Sequence, residues 1–252
     1  MLRLSRFGEF NDPFEMVPGS FGFSLSKDEA AGFFAHSSRL SDPDYHLDNY
    51  VNVMAGVRAS LGVICFTSRE DNLLMWAHYA ENHEGICIEF DAGVDFFTGK
   101  YLDTLEGTFI QRTVKEHYKN TGELKEVKYS KVRPLFIDPS EIEYDTDSWL
   151  TKSEAWAYEQ EYRILLPVDY AVRQQDMLFY EMDKKSIKSV ILGCQIGCEK
   201  KKEINSICSK LGIRVRESFV DSSEYKLDIV DYHPDNHNSY ANYYSLERVT
   251  RY

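Results

Sequence analysis

The alternation of apolar and polar positions divides the chain into legible stretches. Leu47, Tyr50, Val51, Met54, Val57 and Leu61 recur at helical intervals, and Gly62 then marks a stop before the short apolar run "VICF". That spacing predicts a helix followed by a buried strand. A second helix is predicted over about 72–83, capped by Asp71 or Asn72, with Leu73, Trp76, Ala77 and Ala80 on its apolar face. Gly85 is read as the left-handed residue that ends it, after which Ile86, Ile88 and Phe90 alternate as a strand. Cys87, Glu89 and Asp91 then point to the opposite face.

Residues from about 99 to 150 carry a charged helical stretch and proline and aspartate breaks, and read as an insertion or lid. Beyond them come a short helix ending near Tyr158, the strands "YRILLPV" and "SVILG", and a helix carrying Ile204, Ile207 and Leu211. Two further strands, "IRVRESFV" and "YKLDIVDY", are joined by the turn "DSSE". This order lacks the regular alternation of a doubly wound sheet. The expectation is α+β: a single domain over 1–232, with a central mixed, partly antiparallel sheet flanked by helices, and a polar, tyrosine-rich tail at 233–252.

Composition narrows the function classes. The 252 residues are 43% hydrophobic, enough for a sizeable core, and the net charge of −12 opposes nucleic-acid binding, which draws its affinity from lysine and arginine against phosphate. The three lysines of "EKKKE" are flanked by glutamates, as on a solvated helix face. No apolar run approaches the length needed to span a bilayer, and the first residues lack the apolar core of a signal peptide. The five cysteines sit mostly in apolar runs, which suits reduced thiols and a cytoplasmic protein.

Several chemistries are disfavoured by spacing. His78 and His83 are five apart and off a shared helical face, and Cys194 and Cys198 have no matching second pair, so no metal is expected. "GCQIG" lacks the lysine and hydroxyl of a phosphate loop, and Cys65 and Cys87 have the apolar neighbours of packed thiols. Trp76 reads as core. His78 suits a hydrogen-bond donor at the lip of a cleft, and Tyr79, between the apolar and polar faces, can stack on a ligand ring.

The segment "WAYEQEYRILLPV" carries the stronger candidates. With a strand beginning by Glu159, the side chains of Glu159, Glu161 and Arg163 share one face while Tyr162, Ile164 and Leu166 face the core. Two carboxylates beside an arginine can do acid-base work, stabilise a developing cation or bind a hydroxyl pair; a solvated charge ladder is the competing reading.

The combination of "FNDPFE", "ICFTS", "NLLMWAHYAENHEGICIEFD" and the later "K…W.YEQEYRI" with "SVILG" resembles the bacterial domain-of-unknown-function family twenty-nine seventy-one, over roughly residues 7 to 195. Its members are scattered among mobile and phage-defence gene neighbourhoods. By analogy, the layout is similar to ADP-ribosyltransferases. On that map Thr67 and Ser68 take the position of the hydroxyl that places the glutamate, and Glu161 or Glu159 that of the glutamate itself. The implied substrate is NAD, with Thr67, His78, Tyr79 and Arg163 as its binding residues and Ser68, Glu159 and Glu161 as the catalytic ones. Glu161, flanked by strand residues, would stabilise the oxocarbenium ion; Glu159 would hold a ribose hydroxyl or the acceptor. The family usually begins with a further strand and helix before the segment equivalent to "RLSRFGEFNDPFE", the strand carrying the arginine or histidine that orients NAD; the resemblance therefore implies a start assigned downstream, a degenerate copy, or Arg3 or Arg6 in that residue's place. Two readings follow: an NAD-handling transferase or glycohydrolase serving as a phage-defence effector, or a non-catalytic sensor or protein-binding module that keeps the pocket shape.

Overall fold

A computed structural model describes residues 1–16, 56, 59–100, 121–134 and 147–233. Of the helix read over 47–61 only residues 56 and 59–61 are described, and the parts of the lid at 101–120 and 135–146 and the tail beyond 233 lie outside the described residues. In chain order the elements begin with β1 (Leu2–Arg6), β2 (Leu61–Thr67), α1 (Leu73–Tyr79) and β3 (Ile86–Phe90). Then come β4 (Lys125–Glu126), β5 (Lys128–Ser130), β6 (Thr151–Ser153) and β7 (Glu161–Pro167). The last are β8 (Val172–Gln174), β9 (Met177–Tyr180), β10 (Ile187–Leu192), α2 (Cys198–Leu211), β11 (Arg214–Val220) and β12 (Leu227–Asp231). The fold is α+β, and the chain divides into two compact units.

The first unit takes Met1–Phe66 and Gly93–Met182. It holds a six-stranded sheet in the order β4-β7-β2-β1-β9-β8, and β5 and β6 pair in parallel beside it in sequence. Phe7, Met16, Leu61, Val63, Trp149 and Leu165 form its core, with the Phe7 and Trp149 rings meeting edge to face at 5.5 Å. Leu61 and Gly62 belong to β2, so Gly62 ends no helix. It lies opposite Arg6 on β1, and a Cβ there would stand 2.6 Å from the Leu4 side chain; the missing side chain lets Leu4 pack across the sheet.

The second unit takes Thr67–Ala92 and Asp183–Tyr252. Its sheet, in the order β12-β11-β10-β3, is mixed: β10 and β11 run parallel around the crossover helix α2, while β3 and β12 are antiparallel to their neighbours. Trp76 of α1 and Ala80 just past its end pack with Ile191 and Leu227, joined by Leu73, Cys87, Val220 and Ile229. The Trp76 indole donates to the Glu70 carbonyl at 2.7 Å, so its polar edge is satisfied where the ring is buried.

Three expectations for this unit change. Asn72 does cap α1, accepting from the Leu74 and Met75 amides, but the helix stops at Tyr79, well short of residue 83. Glu81, Asn82 and His83 take the positive φ angles that were assigned to Gly85. Gly85 is needed for a close approach instead, since its amide donates to the Ala80 carbonyl at 2.8 Å and a Cβ would crowd that backbone at 3.0 Å. The faces of β3 are also reversed: Cys87 packs on the core around Trp76, while Ile86 and Ile88 stay partly exposed.

Candidate functional site: a buried ionic cluster

The charged residues of two quoted motifs converge in the first unit. After β1 the chain turns through "NDPFE", where the Asp12 carboxylate accepts from the Phe14 amide and carries Glu15 inward. The strand β6 brings Lys152. A 3₁₀ turn over Glu154–Glu159 brings Glu159, and Gln160, in the left-handed conformation, starts β7 at Glu161. The strand therefore begins two residues later than its charge pattern suggested, and Glu159 reaches the cluster from the turn.

Alternation along β7 puts Glu161, Arg163 and Leu165 on one face, which Met16 and Trp149 cover. This strand is buried on both faces, because Ile164 and Leu166 are buried too. Glu159, Glu161 and Arg163 are 2%, 4% and 0% exposed, so they are no solvated ladder.

Arg163 holds the cluster together. Its Nε and Nη2 donate to the two oxygens of Glu161 at 2.7 and 2.9 Å, Nη1 donates to the Trp149 carbonyl at 2.6 Å, and Nη2 also donates to Glu15. Lys152 donates to Glu159 at 2.5 Å and to Glu161 at 3.2 Å, lies 3.5 Å from Glu15, and sits 5.0 Å from the centre of the Trp156 ring. The Tyr129 hydroxyl accepts from the Glu161 amide at 2.8 Å. Three carboxylates thus face two cations in a water-poor interior.

Electrostatics follow from that imbalance. Burial pushes Glu161 upward, yet the hydrogen bonds and charge of Arg163, aided by Lys152, outweigh it and hold the carboxyl below the ordinary carboxylate range. For Glu15 burial wins over Arg163 and Lys152, with Glu161 and Glu159 adding repulsion, and its carboxyl is raised. One of its oxygens, Oε2, is buried without a hydrogen bond. Burial alone would lower Lys152 and Arg163; their carboxylate partners raise both instead. Cys65 on β2, exposed over part of its residue surface, turns its thiol to Glu161, and burial of the sulfur followed by that negative charge pushes it well above the usual thiol range. This opposes a nucleophilic role.

The remaining sequence candidates lie in or at the start of the second unit. Thr67 ends β2, its hydroxyl accepting from the Arg69 amide, and Ser68 follows it. His78 and Tyr79 are exposed at the end of α1, their rings 6.4 Å apart. A polar groove of about 320 Å³ runs between residues 68–71 and 227–229. Its charges pair locally, Arg69 with Asp71 at 2.8 and 2.9 Å and Glu70 with Arg216 at 2.6 and 2.9 Å. Among the described residues no group of histidine, cysteine and carboxylate side chains is arranged to hold a metal ion.

Sequence reasoning found Glu159, Glu161 and Arg163 but missed Glu15 and Lys152. The available signal was that both stand inside the quoted motifs, Glu15 between Phe14 and Met16. No curated protein and no solved structure matches the chain. Residues 75–164 match the model of the family described as protein of unknown function (DUF2971), the same family that the motifs resemble.

Proposed function

We propose that the chain is a non-catalytic sensor or partner-binding module of a bacterial defence or mobile-element system, working in the cytoplasm. One observation carries this reading: the two carboxylates offered for catalysis are already engaged, Glu161 through both oxygens by Arg163 and Glu159 by Lys152, at 4% and 2% exposure. An ion-stabilising carboxylate has to stand beside the reacting atom as charge develops. Carboxylates closed in among Lys152, Arg163, Met16 and Trp149 serve the packing of the first unit. The cytoplasmic setting rests on five free cysteines, and the defence setting on the family resemblance.

A second reading keeps the chain as an NAD-handling transferase or glycohydrolase of ADP-ribosyltransferase type. Its support is the strand order, since β7, β2 and β1 are neighbours in one sheet, as a glutamate strand, a hydroxyl strand and a first strand would be. In that case Glu161 stabilises the oxocarbenium ion and Glu159 assists.

Incubating the full chain with NAD and following nicotinamide release separates the two. The expected result is no release, with Glu159→Gln and Glu161→Gln both melting below the wild type. Release by the wild type that is lost in a folded Glu161→Gln protein would establish the enzyme instead.

A further inference from the structure

The mixed sheet of the second unit ends at β3, and the ladder to β10 fixes which way its backbone points. The Gly193 amide donates to the Gly85 carbonyl at 3.0 Å and the Gln195 amide to the His83 carbonyl at 3.0 Å, in register with Cys87 opposite Ile191 and Glu89 opposite Ser189. In an antiparallel pair the residues that exchange bonds alternate with residues whose N–H and C=O point outward. Gly85, Cys87 and Glu89 face β10, so the backbone groups of Ile86 and Ile88 face the outer edge. No described strand pairs with them there.

The side chains along that edge are sorted by face. Ile86 and Ile88 are 39% and 37% exposed on one face. Glu89 is on the other, its carboxylate accepting from the Ser189 hydroxyl at 2.6 Å and lying 3.8 Å from Arg216, with its side chain still 41% exposed; Asp91 follows, 3.9 Å from Lys188 and 48% exposed. Edge strands are ordinarily blunted by lysine, proline or a bulge; β3 carries no lysine or proline, and the irregularity in its ladder with β10 falls between Ile187 and Ser189, beyond the pairs made by Ile86 and Ile88.

We propose that the outer edge of β3 takes an extended segment of a partner protein in which apolar and basic residues alternate, adding it as a fifth strand. The backbone groups of Ile86 and Ile88 supply the ladder. Apolar side chains of the added strand pack on Ile86 and Ile88, while its basic ones lie over Glu89 and Asp91 on the opposite face. The acidic balance of the whole chain, −12, favours the same partner. A second copy of this chain is the poorer occupant, because antiparallel self-pairing brings the acidic groups of two edges together. The inference rests on the partner-binding reading and names the chemistry of the partner.

The test uses the full chain and a fluorescent peptide of alternating lysine and valine. Saturable binding is expected, weakened about tenfold or more when alternate peptide nitrogens are methylated to remove the ladder donors, and similarly by Ile88→Lys or Glu89→Lys in the protein. Circular dichroism melts of the two variants show that the sheet survives. Equal binding of the methylated peptide would reduce the interaction to charge adsorption and overturn the proposal, as would no binding at all. Self-association of the wild type that Ile88→Lys abolishes, seen by sedimentation, would assign the edge to a second copy and overturn it too. Nicotinamide release by the same preparation would sink the non-catalytic reading alone; lack of both release and binding would sink only the docking inference.

Discussion

Glu161 and Arg163, two residues apart on β7, lie side by side on one face of the strand and form a two-point ion pair at 2.7 and 2.9 Å with no exposed guanidinium surface. The pitch of a strand places such i and i+2 side chains together, and the planar fork of arginine matches the carboxylate. An isolated pair of this kind contributes little to stability in the interior, because desolvation offsets its attraction. Removing one partner is a different matter.

Arg163→Met should therefore cost about 3–5 kcal/mol, since it strands Glu161 and Glu15 in the interior. Arg163→Lys should recover only part of that, because an ammonium cannot bond both Glu161 oxygens and still reach the Trp149 carbonyl. Urea unfolding of the three proteins measures both differences. A lysine variant as stable as the wild type would show that charge alone is needed.

Glu15 and Glu161 should respond to pH in opposite senses. Glu15 is raised above its ordinary value of 4.5 in the fold, so its contribution is fully present below that value and is lost as pH rises through the folded value. Glu161 is lowered, so its contribution is present above 4.5 and is lost as pH falls through the folded value. Glu15→Gln, a mimic of the protonated acid, should thus gain on the wild type as pH rises from 4.5. Glu161→Gln should be most harmful near neutrality and converge on the wild type in acid. Unfolding free energies for all three between about pH 4 and pH 8 give the slopes, and parallel slopes would refute the assignment.

Trp76→Ala should destabilise the second unit by about 3–5 kcal/mol, as expected for truncating a buried indole. Trp76→Phe should cost less, though it leaves the Glu70 carbonyl without its donor. Amide exchange at β10 and β11 would report the loss locally. An unchanged melting profile for the alanine variant would make the ring a surface residue.

Where the determinants were local, the sequence was readable. The cap at Asn72, the Trp76 face, the strands β10 and β11 and the turn held by Asp221, whose carboxylate accepts from the Ser223 and Glu224 amides, follow from neighbours within a few residues. The burial of Glu161 and Arg163 does not, because what covers them includes Glu15 and Met16 from the other end of the first unit. A charged residue looks the same in a short window whether water or another motif stands beside it. Gly62 and Gly85 misled for a related reason: each is small to admit a neighbour, Leu4 or the Ala80 carbonyl, and sequence shows only that it is small.

Glu15 and Arg163 are separated by 148 positions, and synthesis delivers them far apart in time. Glu15 must stay hydrated while more than half the chain leaves the ribosome, and it becomes enclosed only after β7 has emerged and closed a very long loop. The cluster is thus an end-of-assembly lock. A nascent first unit should remain loosely packed, with Phe7 and Trp149 still exchanging with solvent, until Arg163 arrives to draw both ends together.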